Sequence, residues 1–270
     1  MNASADDQLR RAVERYSGLN QGPEFGYGTV CDYCDSCDYL PHLAKAQGDL
    51  KDLQRPWTMK AVLGRLPRGS RLLEVGAGEP LVASALAGLG YDVTIIDPYD
   101  GSGFGPTSFE HFVRTYPNVR MIRNVFRPGL ADLRGEQFDG VYSVSVLEHI
   151  TRLGLDDLFA AIDQHLRPGG WSIHCLDCVT LGDGTDFHRE QVIMVAEHQC
   201  RLAHQAQPSS EMVNDTIDRA HGDLETYYLS ASGHNLWRGS APYKDFPFRR
   251  VISVQTAAAR VPRAMDDQRP

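Results

Sequence analysis

The stretch "LLEVGAGEP", residues 72–80, places two glycines one residue apart behind an apolar run, with Glu74 and Glu79 on either side. The apolar run reads as a buried strand, and the residues after Pro80 as a helix. The Gly-Ala-Gly turn therefore stands where strand gives way to helix. Glycine lets a backbone approach a ligand where a Cβ would intrude. In an open parallel sheet, ligands bind beyond the carboxyl ends of the strands. Tight strand-to-helix turns also use GxG for structural reasons alone, so the rest of the chain has to decide what the turn is for.

Downstream of the turn, short apolar runs alternate with helical stretches. Strands are expected at 71–75, 91–96, 119–123, 138–143 and 171–176, and helices at 81–89, 109–116 and 155–166. That rhythm predicts a mostly parallel sheet covered on both faces. After residue 180 it changes to a long helix over 187–205 and two late strand candidates, 225–229 and 250–256, suited to an antiparallel edge. Upstream, a helix is expected from Ser4 to near Gly18, then a Gly-rich aromatic loop and helical stretches at 40–53 and 56–66. Pro56 suits a first helical turn. The division implied is a helical extension or lid over residues 1–66, a core domain over 67–260 and a polar tail over 261–270.

The chain has 270 residues, a net charge of −8 and the apolar fraction of an ordinary globular protein. An acidic balance argues against nucleic acid or an anionic membrane as the main partner. No run approaches the roughly 20 apolar residues that cross a bilayer, and the polar start lacks the apolar segment of a secretory signal. The expectation is a cytoplasmic protein whose six cysteines stay reduced.

Asp97 ends "VTIIDP", 19 residues after Gly78. An acid there accepts both hydroxyls of a ribose. Two cofactors compete for such a site. A dinucleotide needs GxGxxG, but here the third glycine is absent and Glu79 stands where it would repel a diphosphate. A cofactor without phosphate and with a cationic centre suits the turn better, and S-adenosylmethionine has both properties.

"LLEVGAGEP", "VTIIDP", "FDGVYSVSVLEHI" and "LRPGGWSIHCLD", in this order, resemble the motifs of the class I S-adenosylmethionine-dependent methyltransferases, and "VLEHI" resembles the group acting on small molecules. The resemblance is good over residues 67–180 and extends to 220–257 by general layout. It implies a Rossmann-like, doubly wound α/β fold whose seven strands lie in the order 3-2-1-4-5-7-6 with strand seven antiparallel. It also implies roles. Glu74, Gly76, Ala77 and Gly78 would line the methionine part of the cofactor, and Asp97 with Pro98 the ribose. Asn124 and Val125 would meet the adenine, although Asp is common where Asn124 stands. Ser143 and Ser145 would close strand four beside the cofactor.

Methyl transfer asks the protein for alignment and, where the acceptor must lose a proton, for a base. The candidates are His149, Asp177 and His234, with His188 at the opening of a helix. His149 could equally be a structural contact, and Asp177 an N-cap. Residues 226–239 contribute Tyr227, Tyr228, Trp237 and His234, which stands beside Gly233 in an expected loop, and the front segment Tyr27 and Trp57. Such residues make an apolar wall with polar tips, as acceptor pockets require. Cys31, Cys34 and Cys37 recur every third residue, with His42 beyond. A helix would lay the thiols along one face, whereas a loop could converge them on zinc. The spacing matches no paired zinc motif, and buried or partly buried free cysteines are preferred, with no metal assigned. The function expected is methyl transfer to an O, N or C atom of a small molecule. The alternatives are a nicotinamide-dependent oxidoreductase and a non-catalytic metal-binding protein on the same fold.

Overall fold

The computed structural model describes residues 5–19, 24–46, 49–102, 105–205 and 209–262. The helix start expected at Ser4 lies outside them, as does most of the expected tail. The chain opens with helix α1 (Ala5–Tyr16), strand β1 (Phe25–Tyr27), and helices α2 (Val30–Tyr39), α3 (Pro41–Ala44) and α4 (Leu50–Arg65). The alternating part follows as β2 (Arg71–Val75), α5 (Leu81–Gly88), β3 (Asp92–Asp97), α6 (Phe109–Thr115), β4 (Arg120–Arg123), β5 (Phe138–Val144), α7 (Arg152–His165) and β6 (Leu166–Leu181). Helices α8 (Thr185–Leu202), α9 (Ser209–Gly222) and α10 (Ala231–Arg238) precede the last strand, β7 (Arg250–Ala259).

The strands form one sheet in the order β4-β3-β2-β5-β6-β7-β1. Strands β2 to β6 pair in parallel, and β7 runs antiparallel to β6. This is the 3-2-1-4-5-7-6 order with an antiparallel seventh strand. Its outermost place is filled from the front of the chain, since Phe25 and Tyr27 of β1 pair with Thr256 and Val254. That pairing uses the edge of β7 that residues 225–229 were expected to join. Thr226 and Tyr228 are left with single bridges to Thr29 and Ile252.

Side chains alternate across each strand, so the sheet has two buried faces. One face, with Leu72, Tyr142, Ile173, Cys175 and Ala257, packs under Trp57, Met59 and Val62 of α4 and Leu86 of α5. The other, with Leu73, Val141 and Leu176, packs on Leu158, Phe159 and Ile162 of α7 and Val195 of α8.

Helix α4 corrects the expected break at residue 56. Pro56 lies inside one helix, and every residue from 52 to 63 except Arg55 is buried. A proline in a helix interior gives no N–H to the ladder and costs about 3 kcal/mol. Burial on both sides offsets that cost, because α1, α2 and α3 cover the side of α4 turned away from the sheet.

Helix α2 carries the three clustered cysteines. Thr29 starts it with a capping box, accepting the Asp32 N–H while Asp32 accepts the Thr29 N–H. Cys31 and Cys34 are exposed and Cys37 is half-buried, against the expectation of buried or partly buried thiols. Among the described residues, no three His, Cys, Asp or Glu side chains are grouped to hold a metal ion.

Asp35 of α2 fastens the front layer. It accepts from Lys60 Nζ at 2.6 Å, Tyr16 Oη at 2.6 Å and Arg15 at 2.7 Å. Burial alone would raise its carboxyl, but hydrogen bonds from Lys60 and Tyr16 outweigh that and hold it below the usual range. Its contribution is therefore present above the ordinary carboxylate pKa and is lost as pH falls through the depressed one. Asp35→Ala leaves the buried Lys60 ammonium unpaired and should lower the unfolding free energy by about 2 kcal/mol. Urea unfolding at pH 7 and at pH 3 measures it, and an equal loss at both would remove the charge from the explanation.

Candidate active site

Two of the turn's three residues take conformations that favour glycine. Gly76 has φ +68° and Gly78 φ +56°. A Cβ on Gly76 would stand 2.7 Å from the Val146 side chain, so the space above the turn belongs first to a protein neighbour. Asp97 closes the arrangement from the next strand. One carboxylate oxygen accepts the Gly78 N–H at 3.1 Å and the other the Tyr99 N–H at 2.8 Å. Tyr99 returns the contact, donating its hydroxyl to the Gly78 carbonyl at 3.1 Å. Each carboxylate oxygen keeps a further lone pair for a ligand hydroxyl.

These residues form one wall of a cleft of about 360 Å³ at the carboxyl edge of the sheet. Gly76, Ala77, Gly78, Asp97, Pro98, Val125, Ser145 and His149 all line it, so eight of the expected site residues come together. Glu79 lines it too, accepting a hydrogen bond from the Tyr116 hydroxyl. Lys51 and Arg55 enter from α4. The sequence reading did not include these two; with α4 laid over the sheet edge, their 4-residue spacing puts them on one helical face.

Glu74 lies beneath the turn and is not on the cleft. It is 3 % exposed, accepts the Tyr142 hydroxyl at 3.0 Å, and is pushed up to about 7 by burial, against hydrogen bonds from Tyr142 and the Ala83 backbone. It holds the start of α5 to β2.

Behind Ser145 is a buried acid pair. Ser145 is a non-glycine residue at φ +53°, a sparsely populated conformation that persists where the surroundings fix it. Its hydroxyl donates to Asp177 Oδ2 at 3.2 Å, while Gln54 donates to Oδ1 at 2.8 Å. The Asp177 N–H donates to Glu148 Oε1 at 3.1 Å. Burial, and then the charge of Asp177, push Glu148 up to about 8. His149 stands on the cleft side, its Nε2 4.0 Å from Glu148, and burial lowers its pKa below 6.5. His188 bonds the Asp177 carbonyl through Nδ1 at 2.8 Å, so Nδ1 carries the proton and Nε2 is left as an acceptor.

The remaining candidates lie elsewhere. Asn124 donates to Asp132 and accepts the Val125 N–H. Ser143 points to the opposite face of the sheet and bonds His174, which is fully buried and lowered to about 3 by that burial. Trp57 is a core residue of α4. Tyr27 bonds Asp223, and Tyr227 packs on the Tyr33 ring at 5.1 Å. His234 belongs to helix α10 rather than a loop, bonded to the Pro247 carbonyl among Tyr243, Phe246 and Phe248. Trp237 is on the same helix, 37 % exposed. A Cβ on Gly233 of this helix would meet the side chains of Asp49 and Leu229.

The chain is similar to several known proteins. An uncharacterised protein of Mycobacterium tuberculosis is 34 % identical over 128 residues, 45 % of this chain and 40 % of that one. A ubiquinone biosynthesis O-methyltransferase of Roseobacter denitrificans is 31 % identical over 134 residues, 50 % of each. The matched region thus spans half or less of these curated relatives. Among solved structures, a TehB-like SAM-dependent methyltransferase of Corynebacterium glutamicum is similar with a TM-score of 0.43 at 15 % identity, covering 84 % of this chain and 98 % of that one. The family described as methyltransferase domain matches residues 49–211, more than half of the sequence, and the chain belongs to that family.

Proposed function

We propose that the protein transfers a methyl group from S-adenosylmethionine to an O, N or C atom of a small-molecule acceptor by in-line displacement. The observation that carries this is the Asp97 carboxylate fixed against an open glycine turn on the wall of one cleft. In this reading the ribose hydroxyls bond Asp97, the methionine part crosses Gly76 to Gly78, and adenine rests between Pro98 and Val125. Arg55 faces the methionine carboxylate; burial lowers its pKa against the attraction of Asp52, Glu79 and Glu74, and a guanidinium still stays charged. A nicotinamide dinucleotide would bring its diphosphate against Glu79.

The small-molecule assignment is supported by the acidic net charge and by the relatives named for ubiquinone biosynthesis. Among the described residues no helix is long and apolar enough to cross a membrane. Six free cysteines fit work in the reducing cytoplasm. The front segment acts as cover for the acceptor, since α4 already brings Lys51 and Arg55 to the cleft, whereas residues 226–239 do not line it.

Calorimetric titration tests the cofactor directly, with S-adenosylhomocysteine expected to bind and NADH not. Asp97→Ala should weaken S-adenosylhomocysteine by about 1–3 kcal/mol, through lost charge-assisted hydrogen bonds. Arg55→Ala should weaken it as well, yet leave methylthioadenosine, which has no carboxylate, unchanged. Equal effects on both ligands would move Arg55 out of the methionine subsite.

His149 is the base on the cleft wall for an acceptor that must lose a proton. A base acts in its neutral form, and burial holds the His149 pKa low. Activity should therefore persist at neutral pH and fall as pH drops through that lowered value. His149→Gln should lower kcat at least tenfold and abolish the acidic limb of the pH profile. An unchanged acidic limb in the variant would assign the base elsewhere.

A further inference from the structure

Residues 235–250, from the end of α10 to the first residue of β7, read NLWRGSAPYKDFPFRR. Three times in this run an aromatic residue is followed directly by a cation, as Trp237-Arg238, Tyr243-Lys244 and Phe248-Arg249. With Arg250 the run has four cations against the single acid Asp245, in a chain whose net charge is −8. The overall charge that argues against an anionic membrane is therefore not the charge of this segment.

Its apolar side chains face outward. Trp237 is 37 % exposed, Phe248 50 %, Tyr243 59 % and Leu236, beside Trp237, 71 %. They form one surface because the buried His234 ring gathers them. Its centroid lies 6.5 Å from that of Tyr243 and 5.2 Å from that of Phe248, and Trp237 follows it by one turn of α10. Arg249 lies over the Phe246 ring at 4.2 Å, and Arg238 donates to the Ala241 carbonyl, so these cations belong to the same cluster. Among the described residues none of the four cations makes an ion pair.

Single exposed apolar side chains need no explanation, but a group of them rimmed by polar residues marks a surface that meets something. A protein interface gathers apolar residues at a centre poor in charge, whereas here each aromatic tip has a cation as its neighbour. A nucleic acid would stack on the rings and leave Leu236, the most exposed of the four, unused. Its chain of phosphates would also run on to an acidic protein. A bilayer face suits both halves of the pattern. Trp and Tyr rings settle at headgroup depth, Leu and Phe enter the acyl boundary, and the cations meet lipid phosphates. We infer that residues 235–250 dock the protein reversibly on an anionic phospholipid surface. The docking surface is joined to the helix that borders the cleft, since Ser230, the cap of α10, bonds Asp49, two residues before Lys51.

Flotation of the full chain with vesicles tests this, comparing an equimolar mixture of phosphatidylserine and phosphatidylcholine with phosphatidylcholine alone. The mixed vesicles should bind at least about tenfold tighter, and added salt should weaken that binding by screening the headgroups. Lys244→Glu reverses one exposed charge, and Leu236→Ser with Phe248→Ser removes two apolar tips. Each change should weaken binding to the mixed vesicles by about tenfold or more and leave S-adenosylhomocysteine affinity unchanged. Lipids brominated on their acyl chains should quench part of the tryptophan fluorescence, and Trp237→Phe should remove that quenching, because Trp57 is buried and Trp171 lies at the other edge of the sheet. Equal binding to both kinds of vesicle, binding unaltered in the variants, quenching that persists without Trp237, or no vesicle binding overturns the inference. Capture of a single-stranded RNA oligonucleotide in place of vesicles, abolished by Lys244→Glu, would overturn it in favour of nucleic acid.

Discussion

The Asp97 carboxylate accepts N–H groups from Gly78 on one side and from Tyr99 on the other, and the site is arranged around that double contact. A turn with two left-handed glycines has little of its own to hold it. The acid at the end of the adjacent parallel strand supplies the missing constraint, and the parallel pairing of β2 with β3 sets both at the same edge. The contact also keeps a charged, nearly buried carboxylate in one orientation, with lone pairs directed to the cleft. Fold and binding chemistry meet in one side chain.

Helix α4 is the second determinant. It is the layer between the sheet and the front helices, and its two halves serve different purposes. The half after Pro56 is core, packed on Leu72, Tyr142 and Ile173. The half before it brings Lys51 and Arg55 to the cleft and Gln54 to Asp177. A proline between them costs helix stability, and the position is tolerable because both halves are buried. Asp35, gripping Arg15, Tyr16 and Lys60, ties the covering helices to that anchored half.

The electrostatics of the site grade from one end to the other. Near the turn, Asp97 is held by backbone N–H groups. Behind Ser145, two carboxyl groups share one buried space, and burial together with mutual repulsion pushes Glu148 up to about 8. At neutral pH that group holds its proton and becomes a donor as well as an acceptor.

The local pattern of residues by itself determined the alternating core. Residues 71–75, 138–143 and 171–176 had no competing period, and the glycine turn with Asp97 was legible because its chemistry is carried by neighbours along the chain. The eight site residues that meet in the cleft all come from such strand ends and the turns after them. What only the tertiary structure decided depended on distant partners. Strand β1 took the outer edge because its register with β7 is a long-range pairing that no local pattern records. Ser143 and Ser145 are two residues apart, yet only the second reaches the cleft, because the chain leaves the strand and turns left-handed at Ser145. Pro56 stayed inside a helix because neighbours on both sides bury it. Gly233 stands in a helix that Ser230 caps, and Ser230 is itself bonded to Asp49, more than 180 residues earlier. Periodicity encodes which way a side chain faces; what it faces is settled only when the layers close.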